Sequence, residues 1–237
     1  MEDSEFRFKK FSVNHSRSSM KVGVDAVLLG AWAGKDARKI LDVGTGCGVI
    51  SLILAQRFPE AIIKGVDIDQ PSIEEARKNF EKSPWSERLS ADLAEFPNDI
   101  LKNGEKFDLI VSNPPFFRSG IVQPKSQREK ARHQDTLSVF SLIENSSFLL
   151  EEEGILAFIF PVEFREEVLR IGNTKGFKKI RECTVRDREE RKEKRVMIEM
   201  MFTDKEITEL TYQLILFQNG LPTNDYQLLC KDFYLKF

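Results

Sequence analysis

Histidine and cysteine are scarce: His15 and His133 are the only imidazoles in 237 residues, and Cys47, Cys183 and Cys230 the only thiols. A metal centre or a Ser-His-Asp triad would have to be assembled from two histidines. Three cysteines without paired spacing form neither a zinc cluster nor a disulfide framework. Reduced thiols and no metal are expected. No uncharged apolar run is long enough for a membrane helix, and Met1-Glu2-Asp3-Ser4-Glu5 lacks the apolar stretch of a signal peptide. This predicts a cytoplasmic chain with no membrane partner. A strong charge bias is missing as well: the net charge of -2 excludes a wholly basic nucleic-acid binder while leaving local patches open. There is no internal repeat, low-complexity segment or interdomain linker.

What the chain does have is 41% hydrophobic residues, enough for one α/β domain or for two small ones; a single domain over 1–237 is expected. Lys39 to Gly44 reads as a short buried strand, and Ile50, Ile53, Leu54 and Phe58 follow at helical spacing. Ala61 to Asp67 alternates as a strand, after which Pro71 suits a helix start and Ile73, Ala76 and Phe80 share a face. Phe107 to Ser112 is another buried strand, whereas Pro114 to Thr136 has no period and reads as a functional loop. Val139, Leu142, Ile143, Ser146, Leu149 and Leu150 give a helical face, followed by the apolar strand Gly154 to Phe160. The remainder predicts a helix from Glu163 to Thr174 and an antiparallel edge from Phe177 to Arg186 and Arg195 to Phe202. A strand near Tyr212 to Phe217 and a closing helix near Tyr226 to Phe233 end the chain. Such alternation implies a mainly parallel sheet with helices on both faces.

Leu41-Asp42-Val43-Gly44-Thr45-Gly46-Cys47-Gly48 falls at the first strand-to-helix turn, where open α/β sheets bind nucleotides. Glycine lets the backbone turn sharply there and approach a ligand closely. A pyrophosphate loop would carry glycine where Val49 stands and would not set the charge of Asp42 near an anion. A cofactor with an ammonium, a sulfonium and no phosphate suits Asp42, and S-adenosylmethionine is such a cofactor. Asp67, 23 positions beyond Gly44, ends the second strand close to the interval at which a carboxylate meets a ribose diol. The alternative is a plain glycine turn with a solvated aspartate.

Asn113-Pro114-Pro115-Phe116 follows a strand that should end at the same crevice. The exocyclic amine of adenine is a poor nucleophile because its lone pair is delocalised into the ring. Catalysis must localise that pair and align it with the methyl donor. The Asn113 side-chain oxygen and the Pro114 carbonyl offer two acceptors for two amino hydrogens, favouring tetrahedral nitrogen as attack begins. Pro115 stiffens the turn, and Phe116 can stack on an unpaired base. Taken alone, Asn-Pro-Pro is equally a structural turn; the cofactor loop upstream favours the chemical reading.

With these motifs in place, the chain resembles the class I methyltransferases of the amino type, and within them the bacterial tRNA adenine-37 N6-methyltransferases acting on a valine tRNA. The resemblance covers most of the chain. It is carried by Phe8-Lys9-Lys10-Phe11, Met20 to Trp32 (Met-Lys-Val-Gly-Val-Asp-Ala-Val-Leu-Leu-Gly-Ala-Trp), Asp42 to Gly48, Ser83-Pro84-Trp85-Ser86-Glu87-Arg88, Phe107 to Phe117 and Gln127 to Arg132. The glycine loop and Asn-Pro-Pro are widespread among methyltransferases, whereas Met20 to Trp32 and the Ser-Pro-Trp segment are more particular to this group.

The resemblance implies a Rossmann-like α/β fold, a mainly parallel seven-stranded sheet with its last pair reversed in order. Residues 1–35 would reach the cofactor pocket, 36–203 form the core and 204–237 extend it. It places Lys21, Gly23 and Asp25 near the cofactor, Asp42, Gly44, Gly46 and Gly48 around its methionine part, Asp67 with Ile68 at the ribose, and Asp92 with Leu93 at the adenine. Asn113 would border both cofactor and target amine. Where the family has Asn-Pro-Pro-Tyr this chain has Phe116, which keeps stacking and loses the hydroxyl.

Arg118, Lys125, Arg128, Lys130 and Arg132 stand against Glu129 alone directly after the motif, where phosphates flanking a target base would run. They are the candidate contacts to tRNA, with the anticodon loop of a valine tRNA as the implied partner of a monomeric enzyme; solvated loop charge is the alternative for each. Lys175 to Arg195 also contains five acids and reads as a salt-bridged hairpin surface, and His133 as a loop hydrogen-bonder. Two rivals remain: methylation of a protein glutamine or an rRNA guanine amino group, which Asn113 and Pro114 would serve equally, and a non-catalytic RNA-binding factor that retains the fold.

Overall fold

The computed structural model describes residues 5–18, 21–115 and 138–237. A hairpin of β1 (Glu5–Arg7) and β2 (Ser12–Asn14) precedes α1 (Val24–Trp32). Alternation then runs through β3 (Lys39–Val43), α2 (Val49–Arg57), β4 (Ile62–Asp67), α3 (Gln70–Glu81), β5 (Leu89–Leu93), α4 (Asn98–Leu101) and β6 (Phe107–Ser112). After it come α5 (Val139–Ser146), β7 (Leu150–Pro161), α6 (Arg165–Thr174), β8 (Phe177–Arg188), β9 (Arg195–Phe202), β10 (Leu210–Gln218), β11 (Leu221–Pro222) and α7 (Asn224–Cys230).

Among the described residues, nine strands form the main sheet in the order β11-β10-β8-β9-β7-β6-β3-β4-β5. From β8 to β5 these are the seven expected strands with the last pair reversed, β9 running against both β7 and β8. The tail extends that set. β10 joins β8 in parallel and β11 folds back antiparallel on β10, so the sheet has an antiparallel edge while the β8–β9 pair is itself flanked by β10. Leu214 and Leu216 of β10 explain the addition, because as a sheet strand β10 buries them on the face that also receives Tyr226 and Cys230 of α7.

Side chains alternate between the two faces of each strand. Ile40, Ile63, Leu109, Val111 and Ile159 pack on one face under α1, α2, α3 and α7; Leu41, Val43, Val66, Ile110, Phe158 and Phe160 pack on the other with residues of α4, α5 and α6. α2 is buried from Val49 through Ala55 because α1 covers the side that the sheet does not. α3 starts where its sequence says it should: Asp69 accepts from the Ser72 backbone N–H at 3.0 Å, and Pro71 sits in the first turn. The helical face read as far as Leu150 stops at Ser146 instead. There Asn145, Ser146 and Ser147 hydrogen-bond back to carbonyls of Ser141, Leu142 and Glu144, competing with helix continuation, and Leu150 begins β7.

Candidate active site

β3 and β6 are adjacent and parallel, with Val43 in register with Ser112. The buried Ser112 hydroxyl donates to the Val43 carbonyl at 2.8 Å, so the next residues, Gly44 and Asn113, leave neighbouring strands at the carboxyl edge. Pro114 is buried, and Asn113 and Pro115 are partly exposed. Phe116, Arg118, Lys125, Arg128, Lys130, Arg132 and His133 lie outside the described residues.

The glycine loop is tied to the end of β4. The N–H groups of Gly44 and Thr45 both donate to the Val66 carbonyl, at 2.8 and 3.0 Å, and that of Gly46 donates to Asp67 Oδ2 at 3.0 Å. Gly44, Gly46 and Gly48 all have positive φ, at 72°, 55° and 83°. Glycine is required most plainly at Gly48, where a Cβ would stand 2.4 Å from the ring of Phe80.

Asp42 is fully buried. Its Oδ2 accepts from the hydroxyls of Thr45 and Ser51, each at 2.7 Å, and from the Ser51 N–H at 3.2 Å. Its Oδ1 is buried and finds no hydrogen-bond partner among the described residues. Burial pushes the carboxyl up to about 6 against those donors. The solvated-aspartate alternative therefore fails for Asp42. An unmatched buried carboxylate oxygen beneath a glycine turn fits a cofactor that brings positive charge and no phosphate. Asp67 is likewise raised by burial, opposed by N–H groups of Asp69 and Gly46, yet each of its oxygens has a lone pair beyond these bonds.

At the neighbouring strand ends, Ile68 and Leu93 are 42% and 51% exposed, an apolar pair around the Asp67–Leu93 register. This suits a flat aromatic ring. Asp92 lies within β5, and its side chain is half exposed, with only loose pairing to Lys64 at 3.8 Å and Arg77 at 3.7 Å.

α1 brings the N-terminal candidates to the same edge. Gly23 caps the helix, Lys21 is exposed just before it, and Asp25 in its first turn meets the Arg195 guanidinium at 2.7 Å. Burial raises the Asp25 carboxyl, with Arg195 opposing. The three cysteines are buried free thiols, each pushed up to about 12 by burial. Among the described residues no group of His, Cys, Asp and Glu is arranged to hold a metal, and no helix is long and apolar enough to cross a membrane.

Sequence reasoning missed Glu75 and Asn79. Both are buried on α3 and hold the strap that follows β2. Glu75 accepts from the Ser16 hydroxyl and the N–H groups of Arg17 and Ser18, while Asn79 bonds Asn14 in both directions and the Cys47 carbonyl. The strap thereby reaches the loop, with Ser18 Oγ 3.3 Å from where a Cβ on Gly46 would stand. The available signal was a Glu and an Asn four apart among the apolar positions of an amphipathic helix.

Residues 13–168 match the family model described as methyltransferase small domain. A curated protein of Parabacteroides distasonis is 38% identical over 237 residues, covering all of both chains. One of Phocaeicola vulgatus is 39% identical over 241 residues, covering 99% of each. Both are named tRNA1(Val) (adenine(37)-N6)-methyltransferase. Among solved structures, a predicted O-methyltransferase from Agrobacterium tumefaciens superposes with a TM-score of 0.68 at 18% identity, over 88% of this chain and 96% of that one. That likeness speaks to fold alone.

Proposed function

Because the chain belongs to the methyltransferase small-domain family, we propose that it transfers a methyl group from S-adenosylmethionine to N6 of an adenine in tRNA, adenine 37 beside the anticodon of a valine tRNA. The observation that carries the chemistry is the β3–β6 register, which sets the glycine loop beside Asn113 and Pro114. The substrate follows the names of full-length relatives.

Bound S-adenosylmethionine supplies an electrophilic methyl on a sulfonium. Asp42 balances positive charge under the methionine end, while Gly44, Gly46 and Gly48 keep side chains out of its path. Asp67 accepts from the ribose hydroxyls, Ile68 and Leu93 flank the adenine, and Asp92 faces its amine. Lys21, Gly23 and Asp25 border the pocket from the start of α1. At the target, Asn113 Oδ1 and the Pro114 carbonyl accept the two amino hydrogens, so the nitrogen lone pair localises for in-line attack. The amino nitrogen would gain the methyl carbon as the methyl–sulfur bond breaks, leaving S-adenosylhomocysteine as a neutral thioether, and would release one proton to water. Phe116 stacks on the base, and Arg118, Lys125, Arg128, Lys130 and Arg132 meet flanking phosphates.

Unmodified tRNA transcripts and ribosomal proteins, each incubated with the chain and methyl-labelled donor, test this. Label is expected in RNA alone, as N6-methyladenosine. Label in protein or on a guanine amino group contradicts it.

A further inference from the structure

The carboxyl edge of the sheet has a second prominent feature. Ser112 is level with Phe158 on β7, Ile198 on β9 and Glu182 on β8, yet β8 continues to Arg188. At about 3.3 Å per residue its end rises roughly 20 Å past Ser112, and three strand spacings set it about 14 Å to the side. β10 runs alongside as far as a Phe217–Arg188 pair, so the β8–β9 hairpin stands as a wall beside the catalytic crevice.

Residues 186–195 at its tip hold six cations against four acids. Ion pairs brace the base of the tip. Arg186 meets Glu193 at 2.7 Å, Lys194 meets Asp187 at 2.8 Å, and Arg195 links Asp187 to Asp25 of α1. Gln213 and Gln218 of β10 donate to Glu193 and Glu189 at 2.8 and 2.7 Å. Arg188, Arg191 and Lys192 remain exposed, with no ion pair among the described residues. The bracing holds the backbone beneath these three unpaired cations in place, and polyanions are the ligands they suit.

We propose that the tip of the β8–β9 hairpin docks the phosphate backbone of the RNA substrate through Arg188, Arg191 and Lys192 while the target base occupies the Asn113 turn. This rests on the tRNA reading above. The tip stands about 24 Å from that turn. It is too far away to touch the target base, and a stacked strand, advancing about 3.4 Å per nucleotide, crosses the gap in about seven steps. The contacts therefore fall on the flanking stem, where phosphates fix register and carry no sequence information.

The test is fluorescence anisotropy of a labelled tRNA transcript with the full chain across a salt series. Arg188→Gln/Arg191→Gln/Lys192→Gln is compared with Lys35→Gln/Arg38→Gln/Lys39→Gln, which removes the same charge near the start of β3 at the opposite edge. The tip variant is expected to raise Kd about tenfold or more near 0.1 M salt and to flatten the slope of log Kd against log salt by about 2 to 3. The control should stay within about twofold of the unaltered chain, and both should keep their thermal midpoint and cofactor affinity. Equal losses in both triples, or an unchanged slope in the tip variant, overturn the proposal. An unaltered chain that binds tRNA without methylating it defeats the functional reading and leaves this comparison decisive; one that binds no tRNA overturns both.

Discussion

The Glu75 carboxylate on α3 receives the backbone N–H of Ser18 at 2.8 Å and so holds the N-terminal strap against the glycine loop. Arg17 N–H and the Ser16 hydroxyl share the same carboxylate, so one buried side chain satisfies three donors that water would otherwise have to reach.

Glu75→Ala should therefore loosen the strap and weaken S-adenosylmethionine binding about tenfold, with Glu75→Gln intermediate because its amide keeps one acceptor. Titration calorimetry checks this. Equal cofactor affinity in all three proteins would detach the strap from the pocket.

Gly48→Ala should be destabilising. The φ of 83° costs an L-residue about 1–2 kcal/mol, and the added Cβ meets the Phe80 ring. The expected loss is at least about 2 kcal/mol, or a thermal midpoint lower by about 4–8 °C for a chain of this size. An unchanged midpoint contradicts the close packing of α3 on the loop.

Asp42 makes ligand affinity and stability depend on pH in opposite senses. A bound cation favours the ionised carboxylate, so cofactor affinity should rise as pH increases through about 6 and then level off. In the ligand-free chain the folded value of about 6 exceeds the unfolded value near 4, so the native state holds the extra proton between them. Stability from this group is full below about pH 4 and lost as pH rises through about 6, on the order of 3 kcal/mol in total. Asp42→Asn should flatten both profiles and bind cofactor more weakly. Unchanged pH dependence in that variant contradicts the assignment.

Asn113→Ala should lower kcat by at least about 10²-fold while changing cofactor Kd less than about threefold, since the acceptor it removes serves the target amine. Single-turnover kinetics beside calorimetry separate the two. Full turnover in the variant excludes the amine clamp.

The elements that bear on chemistry were legible because each is local. A buried strand followed by a glycine turn or by Asn-Pro-Pro marks its own end, and parallel alternation brings such ends to one edge. What depends on distant chain returning was not legible. Nothing near Glu75 announces that residues 16–18 come back to it, and nothing within Leu210–Gln218 says that it will pair in parallel with β8. The end of α5 was missed because Leu149 and Leu150 continue an apolar face that the serines before them interrupt. Asp42 was assigned from charge alone; its complete burial and unmatched oxygen emerge only from packing.

The most direct measurement is position-resolved nucleoside mass spectrometry of an unmodified valine tRNA transcript after reaction with the purified chain and S-adenosylmethionine, beside a transcript carrying guanine at position 37. One N6-methyladenosine at position 37, absent from the second transcript, is the predicted result. Methylation elsewhere, or equal methylation of both transcripts, contradicts it.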